Sequence, residues 1–193
     1  QKKKKKKKRK VEKIGEGVTK VRPGDHVILH WRKGSGIEAP NPNYTWKNKK
    51  LNSGKITTFS EKSIISENRV TKIPKNFDLK LAALFGCAIL TAYGVVNNDA
   101  KIKIGQSVLI FGLGGVGLNI VQASKLVSAF PIIGIDIKEK KINLAKKFGM
   151  TKGFKFNKSN ISKNIEKFFD TGKADIVIET TGKKEIIELA YNL

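Results

Sequence analysis

The chain is poor in cysteine: Cys87 is the only one in 193 residues, and there are only two histidines. A single cysteine excludes an intramolecular disulfide framework, which fits a reducing compartment, so we expect a cytoplasmic protein. Acidic residues are scarce as well, with 16 Asp and Glu against 39 Lys and Arg and a formal net charge of +23. This imbalance raises the question of an anionic partner.

The sequence also lacks a hydrophobic run of membrane-spanning length. The longest run, residues 81–96, has 16 residues and contains Gly86 and Gly94, whereas a membrane helix needs about 18 or more. We therefore expect this run to be buried in protein and expect no membrane partner. No apolar segment follows the basic amino terminus, so no secretory signal is predicted.

Basic residues occupy every position from 2 to 10. A lysine block of this kind is self-repelling and is expected to be disordered. It could bind nucleic acid or an anionic membrane, but no aromatic residues are interleaved with it, so nucleic acid is not the favoured partner. The chain begins with Gln rather than Met, and we treat residues 1–10 as a disordered tail or a sequence artefact.

A glycine-rich turn is the most informative pattern in the chain. It follows the apolar run 107–111 and contains Gly112, Gly114 and Gly117, and a helical pattern begins within it. Nineteen residues after Gly117, at the end of a second apolar run, stands Asp136. Glycines between a strand and a helix, with an acid about 20 residues further on, form a dinucleotide-binding fingerprint.

Each residue of this fingerprint has a physical reason. Gly112 permits the tight turn, Gly114 lets the backbone approach a pyrophosphate, and Gly117 lets the helix pack closely on the strand. Asp136 would accept hydrogen bonds from ribose hydroxyls and repel a 2′-phosphate, which favours NAD over NADP. The alternative is a glycine turn in an ordinary α/β fold with Asp136 as a solvated strand end; the agreement of order, spacing and element types favours the fingerprint.

The first part of the chain has short apolar runs broken by Gly, Pro and Asn, which indicates a β-rich, barrel-like half. Asp78 is expected to cap a helix that begins at Leu79 and is broken near Gly86 or Gly94. Residues 33–53 are predicted to form a long surface loop with a hairpin. The predicted strands are residues 11–14, 25–31, 56–59 and 63–66.

From residue 107 onward, strand and helix patterns alternate, which predicts a parallel sheet with right-handed crossovers. A complete dinucleotide-binding sheet has six strands in the order 3-2-1-4-5-6, and only four fit here, so we expect a truncated chain. The predicted strands are residues 107–111, 131–135, 153–156 and 174–179. The predicted helices are residues 115–127, 138–148, 161–169 and 183–193.

Four stretches together resemble the zinc-type medium-chain alcohol dehydrogenases, as a fragment that lacks both ends. They are residues 14–27 with their Pro-Gly-Asp turn, residues 84–94 around Cys87, the glycine turn with Asp136, and residues 174–182. The resemblance implies an α/β fold: a partial GroES-like β-barrel catalytic domain at residues 11–88, followed by a truncated, doubly wound Rossmann domain at 89–193.

The resemblance also implies roles for individual residues. Cys87 matches a ligand of the catalytic zinc, and Thr91 falls where the family contacts the nicotinamide. Asp136 would bind the adenosine ribose, with Lys141 assisting there. The remaining cofactor-binding residues that it implies are Gly112, Leu113, Gly114, Gly115, Val116 and Gly117 in the phosphate turn, and Thr180 and Thr181 near the nicotinamide.

The chain departs from the family at both metal sites. A catalytic zinc needs three protein ligands and an open position. In the family, the other two come from a Cys and a His before residue 11, where this chain has lysines, so Cys87 is the one ligand present. The loop that carries four cysteines for a structural zinc has none here, and no structural zinc is expected.

The resemblance implies NAD-dependent oxidation of an alcohol to an aldehyde or ketone, or the reverse, by a protein that is expected to form homo-oligomers. The chain as written is expected to bind NAD at best and not to turn over. A second hypothesis is a zinc-independent enone or quinone reductase of the same superfamily. A third is a non-catalytic protein that binds nucleic acid through its lysine tail, and a fourth is a methyltransferase, which would leave the barrel half and Cys87 unexplained.

Overall fold

The computed structural model describes residues 10–157 and 161–193, and the chain divides into two compact units, the first ending at Cys87 and the second spanning Ala88–Leu193. The expectation for the basic tail concerns residues that lie, except for Lys10, outside the described part. Lys10 forms an isolated antiparallel bridge with His26. Each unit has its own hydrophobic core.

The first unit is built on one antiparallel pair, β1 (His26–Leu29) and β4 (Val70–Ile73). A small core of Val21, Val27 and Val70 lies beside it. The strand predicted at residues 25–31 is therefore confirmed in its centre. The strand predicted at 11–14 is wrong: Val11 exchanges backbone hydrogen bonds with Gly24 and Asp25, and the pairing goes no further.

The strands predicted at residues 56–59 and 63–66 are also wrong, since neither segment is extended into a ladder. Local side-chain hydrogen bonds take the place of sheet pairing here, because Ser and Thr hydroxyls compete for backbone carbonyls. The Thr57 hydroxyl donates to the Ser53 carbonyl at 2.9 Å, and the Ser63 hydroxyl donates to the Thr57 carbonyl. The strand that does pair with β1 follows immediately, after a 3₁₀ turn at Glu67–Arg69.

The predicted hairpin in the long loop is confirmed. Strands β2 (Tyr44–Trp46) and β3 (Lys49–Leu51) pair antiparallel. The two residues between them, Lys47 and Asn48, both have positive φ, at 47° and 59°. This is the type I′ geometry, whose twist matches that of the paired strands.

Glu38 connects this loop to the region just before β4. Its carboxylate lies 3.2 Å from the Arg69 guanidinium and 2.8 Å from the Lys55 ammonium, and it accepts a hydrogen bond from Asn68 Nδ2 at 2.7 Å. The hydrogen bond from Lys55, then that from Asn68, and then Arg69 hold the pKa of this carboxyl far below its usual range. Glu38 therefore stays ionised and anchors the long loop at residues 33–53.

A second carboxylate, Glu67, is buried and holds two further segments. It accepts backbone hydrogen bonds from Thr19 at 2.8 Å, from Lys20 and from Ile37 at 2.9 Å. These donors, led by the Ile37 amide, lower the pKa of Glu67. One side chain thus satisfies three backbone amides that strand pairing leaves unused.

A continuous helix spans Leu79–Asp99, and the Asp78 carboxylate caps it by accepting from the Lys80 amide at 2.8 Å. The predicted break near Gly86 or Gly94 does not occur, because the backbone widens into π-helical turns there instead. Within the helix, the structure alternates between α1 (Leu79–Leu84), a π-turn (Phe85–Ile89), α2 (Leu90–Gly94) and a π-turn (Val95–Asp99).

The expectation that this apolar run is buried holds for only part of it. Ala82, Ala92 and Val96 are buried, whereas Leu84 and Leu90 are among its exposed large side chains. In the part of the helix that belongs to the second unit, Ala92 and Val96 join the hydrophobic core. By length and composition alone, this helix is able to cross a membrane, a test that core helices also pass.

The second unit contains a four-stranded parallel sheet with the order β7-β6-β5-β8. This is the 3-2-1-4 part of the predicted doubly wound order. The central strand β5 is buried along its whole length. The strands are β5 (Val108–Phe111), β6 (Ile132–Asp136), β7 (Lys152–Lys155) and β8 (Ile176–Glu179).

Residues of β5 alternate between two hydrophobic cores, as expected for a sheet covered on both faces. Val108 and Ile110 belong to the core that contains residues of the helix Gly115–Leu126. Leu109 and Phe111 belong to the core that contains residues of the helices Ile161–Glu166 and Lys184–Tyr191. All four predicted helices are confirmed, with shorter ends. They are α3 (Gly115–Leu126), α4 (Glu139–Lys147), α5 (Ile161–Glu166) and α6 (Lys184–Tyr191).

The strand register brings three chain segments to one level. Phe111, at the end of β5, pairs with Ile135 of β6 on one side and with Glu179 of β8 on the other. The residues that follow these pairs therefore meet at the carboxyl edge of the sheet. In doubly wound sheets this edge is where ligands bind.

Candidate functional site

The glycine turn joins the end of β5 to the start of α3 under tight packing. Gly112 has φ of 87°, and a Cβ there would lie 2.7 Å from Thr180 Oγ1. A Cβ on Gly117 would lie 1.9 Å from the Gly112 carbonyl oxygen. No other residue type fits either position without moving the backbone, so α3 begins directly against the turn.

The outer side of the turn is open. A Cβ on Gly114 or on Gly115 would meet nothing within 4 Å, and Gly115 is exposed. The first hydrogen bond of α3 runs from the Leu118 amide to the Gly114 carbonyl at 2.9 Å, and the amides of the first turn have no acceptor within the helix. An open cradle at a helix amino terminus fits a phosphate or pyrophosphate group.

Two side chains in the turn belong to the protein interior. The Leu113 side chain is buried and lies against Gly134 of β6, where an added Cβ would come within 3.0 Å of it. Val116 is partly buried and packs on the core of α3. The Leu113 side chain is therefore not available to a ligand, and that of Val116 is available only in part.

Asp136 is buried at the end of β6 and contacts the turn directly. Its Oδ2 accepts from the Leu113 amide at 2.8 Å, and its Oδ1 accepts from the Lys138 amide at 2.9 Å. Burial raises the pKa of this carboxyl, but the hydrogen bonds from Lys138, Leu113 and Lys141 outweigh burial and leave the pKa below its ordinary value. An ionised carboxylate thus faces the turn at neutral pH.

Lys141 lies one turn along α4 from this carboxylate. Its ammonium is 3.3 Å from Asp136 Oδ2, and its side chain is 39% exposed. The structure therefore places the Lys141 ammonium beside the Asp136 carboxylate. Its assistance at the adenosine ribose stays a prediction.

Thr180 and Thr181 follow β8 and differ in their surroundings. The Thr180 hydroxyl lies 2.8 Å from the Gly112 carbonyl oxygen and 2.9 Å from that of Phe111. Thr181 is exposed, and its hydroxyl accepts from the Lys183 amide at 3.2 Å. The sheet brings Thr180 to the glycine turn, while the Thr181 hydroxyl bonds the backbone just before α6 begins.

Glu179, the last residue of β8, holds the loop that follows the strand. Its carboxylate accepts from the amides of Thr181 and Gly182 and so closes the loop after β8 on itself. Gly182 has φ of 70°.

The predicted metal and nicotinamide residues lie on the helix Leu79–Asp99. Cys87 is a free, exposed cysteine at the end of the first unit, and Thr91 is exposed in the second. Within residues 10–157 and 161–193, no three His, Cys, Asp or Glu side chains are grouped as metal ligands. His30 is committed elsewhere, since its ring nitrogens bond the Arg32 carbonyl and the Thr71 hydroxyl.

Comparison with known proteins agrees with this architecture. Residues 115–193 match the family described as zinc-binding dehydrogenase. An alcohol dehydrogenase zinc-binding domain protein from Burkholderia ambifaria is 25% identical, with a TM-score of 0.75, over 94% of this chain and 56% of its own. Benzyl alcohol dehydrogenase from Acinetobacter calcoaceticus is 26% identical, also with a TM-score of 0.75, over 94% and 55%.

A quinone oxidoreductase from Pseudomonas syringae shares the fold at 22% identity, with a TM-score of 0.72, over 92% of this chain and 48% of its own. The chain therefore spans about half the length of the solved structures that it matches. Residues 115–193 thus match the zinc-binding dehydrogenase family, and the sheet and its helices share the fold of these solved structures.

Proposed function

We propose that this chain, whose residues 115–193 match the zinc-binding dehydrogenase family, binds NAD at the glycine turn and is part of an alcohol dehydrogenase-type oxidoreductase. One observation carries the proposal. The open cradle at Gly114 and Gly115 lies beside a buried carboxylate, Asp136, at the carboxyl edge of a parallel sheet. A dinucleotide needs both an anion cradle and an acceptor for ribose hydroxyls.

The chain's own residues supply the binding part of the reaction. Amides at the start of α3 and its positive dipole end would receive the pyrophosphate. Asp136 would accept from the ribose hydroxyls while it still holds the Leu113 amide. Bound NAD would contribute a nicotinamide ring that takes a hydride from an alcohol carbon or returns one to a carbonyl.

The same carboxylate supports a preference for NAD over NADP. Asp136 is buried and ionised, with Lys141 as its cationic neighbour. A 2′-phosphate would bring about two negative charges next to this carboxylate in a poorly screened place. A single ammonium at 3.3 Å from Asp136 is already paired and would not offset that repulsion.

Zinc does not fit the residues of this chain by themselves. A catalytic site needs three protein ligands, and Cys87 stands alone among the described residues, with no group of three candidate ligands. We assign no step of the reaction to a metal here. Zinc-dependent alcohol oxidation is proposed only for a whole protein in which further ligands join Cys87.

Calorimetric titration of the chain with NAD and with NADP tests the proposal. We expect NAD to bind and NADP to bind at least tenfold more weakly, since each 1.4 kcal/mol of repulsion is a factor of ten. Asp136→Asn should reduce the difference in affinity between the two cofactors, because it weakens the binding of NAD and removes the repulsion of the NADP 2′-phosphate. Equal binding of both cofactors by the unaltered chain would contradict the assignment of Asp136, and no binding of either would contradict the proposal.

A second candidate is a zinc-independent quinone or enone reductase, which needs no group of three metal ligands such as the described residues lack. The two are separated by activity in the presence of a chelator. Reduction of a quinone by NADH in excess EDTA would support the metal-free reaction. Alcohol oxidation that appears only with added zinc would support the first proposal.

A further inference from the structure

Both ends of one peptide group in the glycine turn are held by side chains from two other strand ends. The Gly112 carbonyl oxygen lies 2.8 Å from the Thr180 hydroxyl, and the Leu113 amide lies 2.8 Å from Asp136 Oδ2. These groups belong to the same peptide, between Gly112 and Leu113. Thr180 follows β8 and Asp136 ends β6, so the peptide is gripped from both neighbours of β5.

This grip determines which way the peptide faces. A flipped peptide would turn its carbonyl toward the Asp136 carboxylate, which sets two acceptors against each other, and it would lose the present hydrogen bonds of the Leu113 amide and the Gly112 carbonyl. A flip of this peptide rotates ψ of Gly112 and φ of Leu113, and Gly112, which has no Cβ, tolerates the change on its side. Leu113 resists positive φ because it has a Cβ, and the two hydrogen-bonding partners add to that resistance.

The Thr180 hydroxyl has a single hydrogen to give, and backbone carbonyls take it. Its possible acceptors in the structure are the carbonyl oxygens of Gly112 and Phe111, at 2.8 and 2.9 Å. The Phe111 carbonyl already accepts a hydrogen bond from the Thr180 amide at 2.9 Å. We therefore assign the hydrogen bond from the Thr180 hydroxyl to the Gly112 carbonyl. A hydroxyl used in this way has no hydrogen left for a cofactor.

We propose that Thr180 is a positioning residue that, together with Asp136, locks the Gly112–Leu113 peptide and so sets the phosphate-binding turn before the cofactor arrives. The part concerning the cofactor rests on the proposed function. It differs from the cofactor-binding role near the nicotinamide that the resemblance implies for Thr180. Preorganisation of this kind improves binding by reducing the ordering that the ligand must impose.

Amide hydrogen exchange of the full chain without any ligand tests the lock itself. The Leu113 amide lies outside helix and strand, yet we expect it to be protected. Thr180→Val keeps the shape and removes the hydroxyl, and it should speed Leu113 exchange roughly tenfold, whereas Thr180→Ser should not. Fast exchange at Leu113 in the unaltered chain would overturn the inference even if Thr180→Val fails to fold.

Binding of ADP and of adenosine tests what the lock does. ADP carries the pyrophosphate and adenosine does not, so Thr180→Val should weaken ADP roughly fivefold, the worth of one net hydrogen bond, with a smaller effect on adenosine. Thr180→Ser should restore ADP binding to within about twofold of the unaltered chain. Such a ratio between ligands would not change if the substitution merely lowered the stability of the domain.

Thr171→Val is the matched control, since Thr171 is exposed in the loop before β8 and bonds only its own turn at Lys173. It should change neither ADP binding nor Leu113 exchange. If the unaltered chain binds ADP and Thr180→Val binds it equally well, the positioning role of Thr180 is overturned while the proposed function stands. If the unaltered chain binds neither ADP nor NAD, the proposed function fails, and Leu113 exchange still decides whether Thr180 holds the peptide.

Discussion

The backbone of Gly117 packs directly on the carbonyl oxygen of Gly112, so that a Cβ on Gly117 would lie 1.9 Å from that oxygen. The carbonyl cannot retreat freely, because Thr180 Oγ1 lies 2.8 Å from it. The first turn of α3, the glycine turn and the end of β8 are therefore one packed unit. Substitutions on its inner side, at Gly112 and Gly117, should change the stability of the fold. Substitutions on its outer side, at Gly114 and Gly115, should change the binding of the ligand.

Gly117→Ala should destabilise the second unit and abolish dinucleotide binding. The added methyl group must push α3 away from the turn, and overpacking of this kind costs about 1–3 kcal/mol. Urea unfolding followed by circular dichroism measures the loss. An unfolding free energy equal to that of the unaltered chain would show that α3 can shift at no cost.

Gly114→Ala should separate binding from folding. The added Cβ meets no atom within 4 Å, and Gly114 has φ of −78°, which any residue adopts. We expect the unfolding free energy to change by less than about 0.5 kcal/mol and ADP binding to fall at least tenfold, because the Cβ enters the open cradle. Unchanged ADP affinity would place the pyrophosphate elsewhere.

Asp136→Asn should cost about 2 kcal/mol at pH 7, the range for a hydrogen-bonded charge. The folded pKa of Asp136 lies below its ordinary value of 3.8, so its stabilisation is complete above that value and is lost as the pH falls through the folded pKa. The gap in unfolding free energy between the variant and the unaltered chain should therefore close below about pH 4. The exposed Asp170→Asn serves as control, and a gap that is constant down to pH 2 would refute the linkage.

Glu38→Gln should loosen the long loop of the first unit. The amide cannot pair with the Arg69 and Lys55 cations that now lie within 3.2 and 2.8 Å of the carboxylate. Limited proteolysis should cut residues 33–53 faster in this variant. Glu12→Gln is the comparison, because Glu12 makes an exposed ion pair with Lys62; equal cleavage in both variants would deny Glu38 its anchoring role.

Cys87 should react as one accessible thiol in the folded chain. It is exposed and the only cysteine present, so Ellman's reagent should titrate one thiol without denaturant. Equimolar zinc should not protect it, because one ligand cannot hold the ion tightly. Protection by zinc would reveal ligands that the described residues do not group together.

Local signals made much of the second unit predictable. Gly112, Gly117 and Asp136 have fixed chain spacings and single-residue reasons, and the sheet order followed from strand and helix alternation. The first unit was harder, because Thr57 and Ser63 look like strand residues while their hydroxyls bond nearby carbonyls. The contact of Thr180 with Gly112 spans 68 positions. The strand order places the two chain segments side by side, but it does not show that the Thr180 hydroxyl bonds the Gly112 carbonyl rather than a ligand.

The shared register of β5, β6 and β8 also has a practical use. Since the glycine turn, Asp136 and Thr180 all stand at the carboxyl edge, the loop at residues 171–173 before β8 stands at the opposite edge, with exposed Thr171 and Lys173 and free space around Gly172. A fluorescent label or an affinity tag inserted there would report on the chain without crowding its cofactor cradle. The separation of the two edges of the sheet thus allows the chain to be labelled away from its cofactor site.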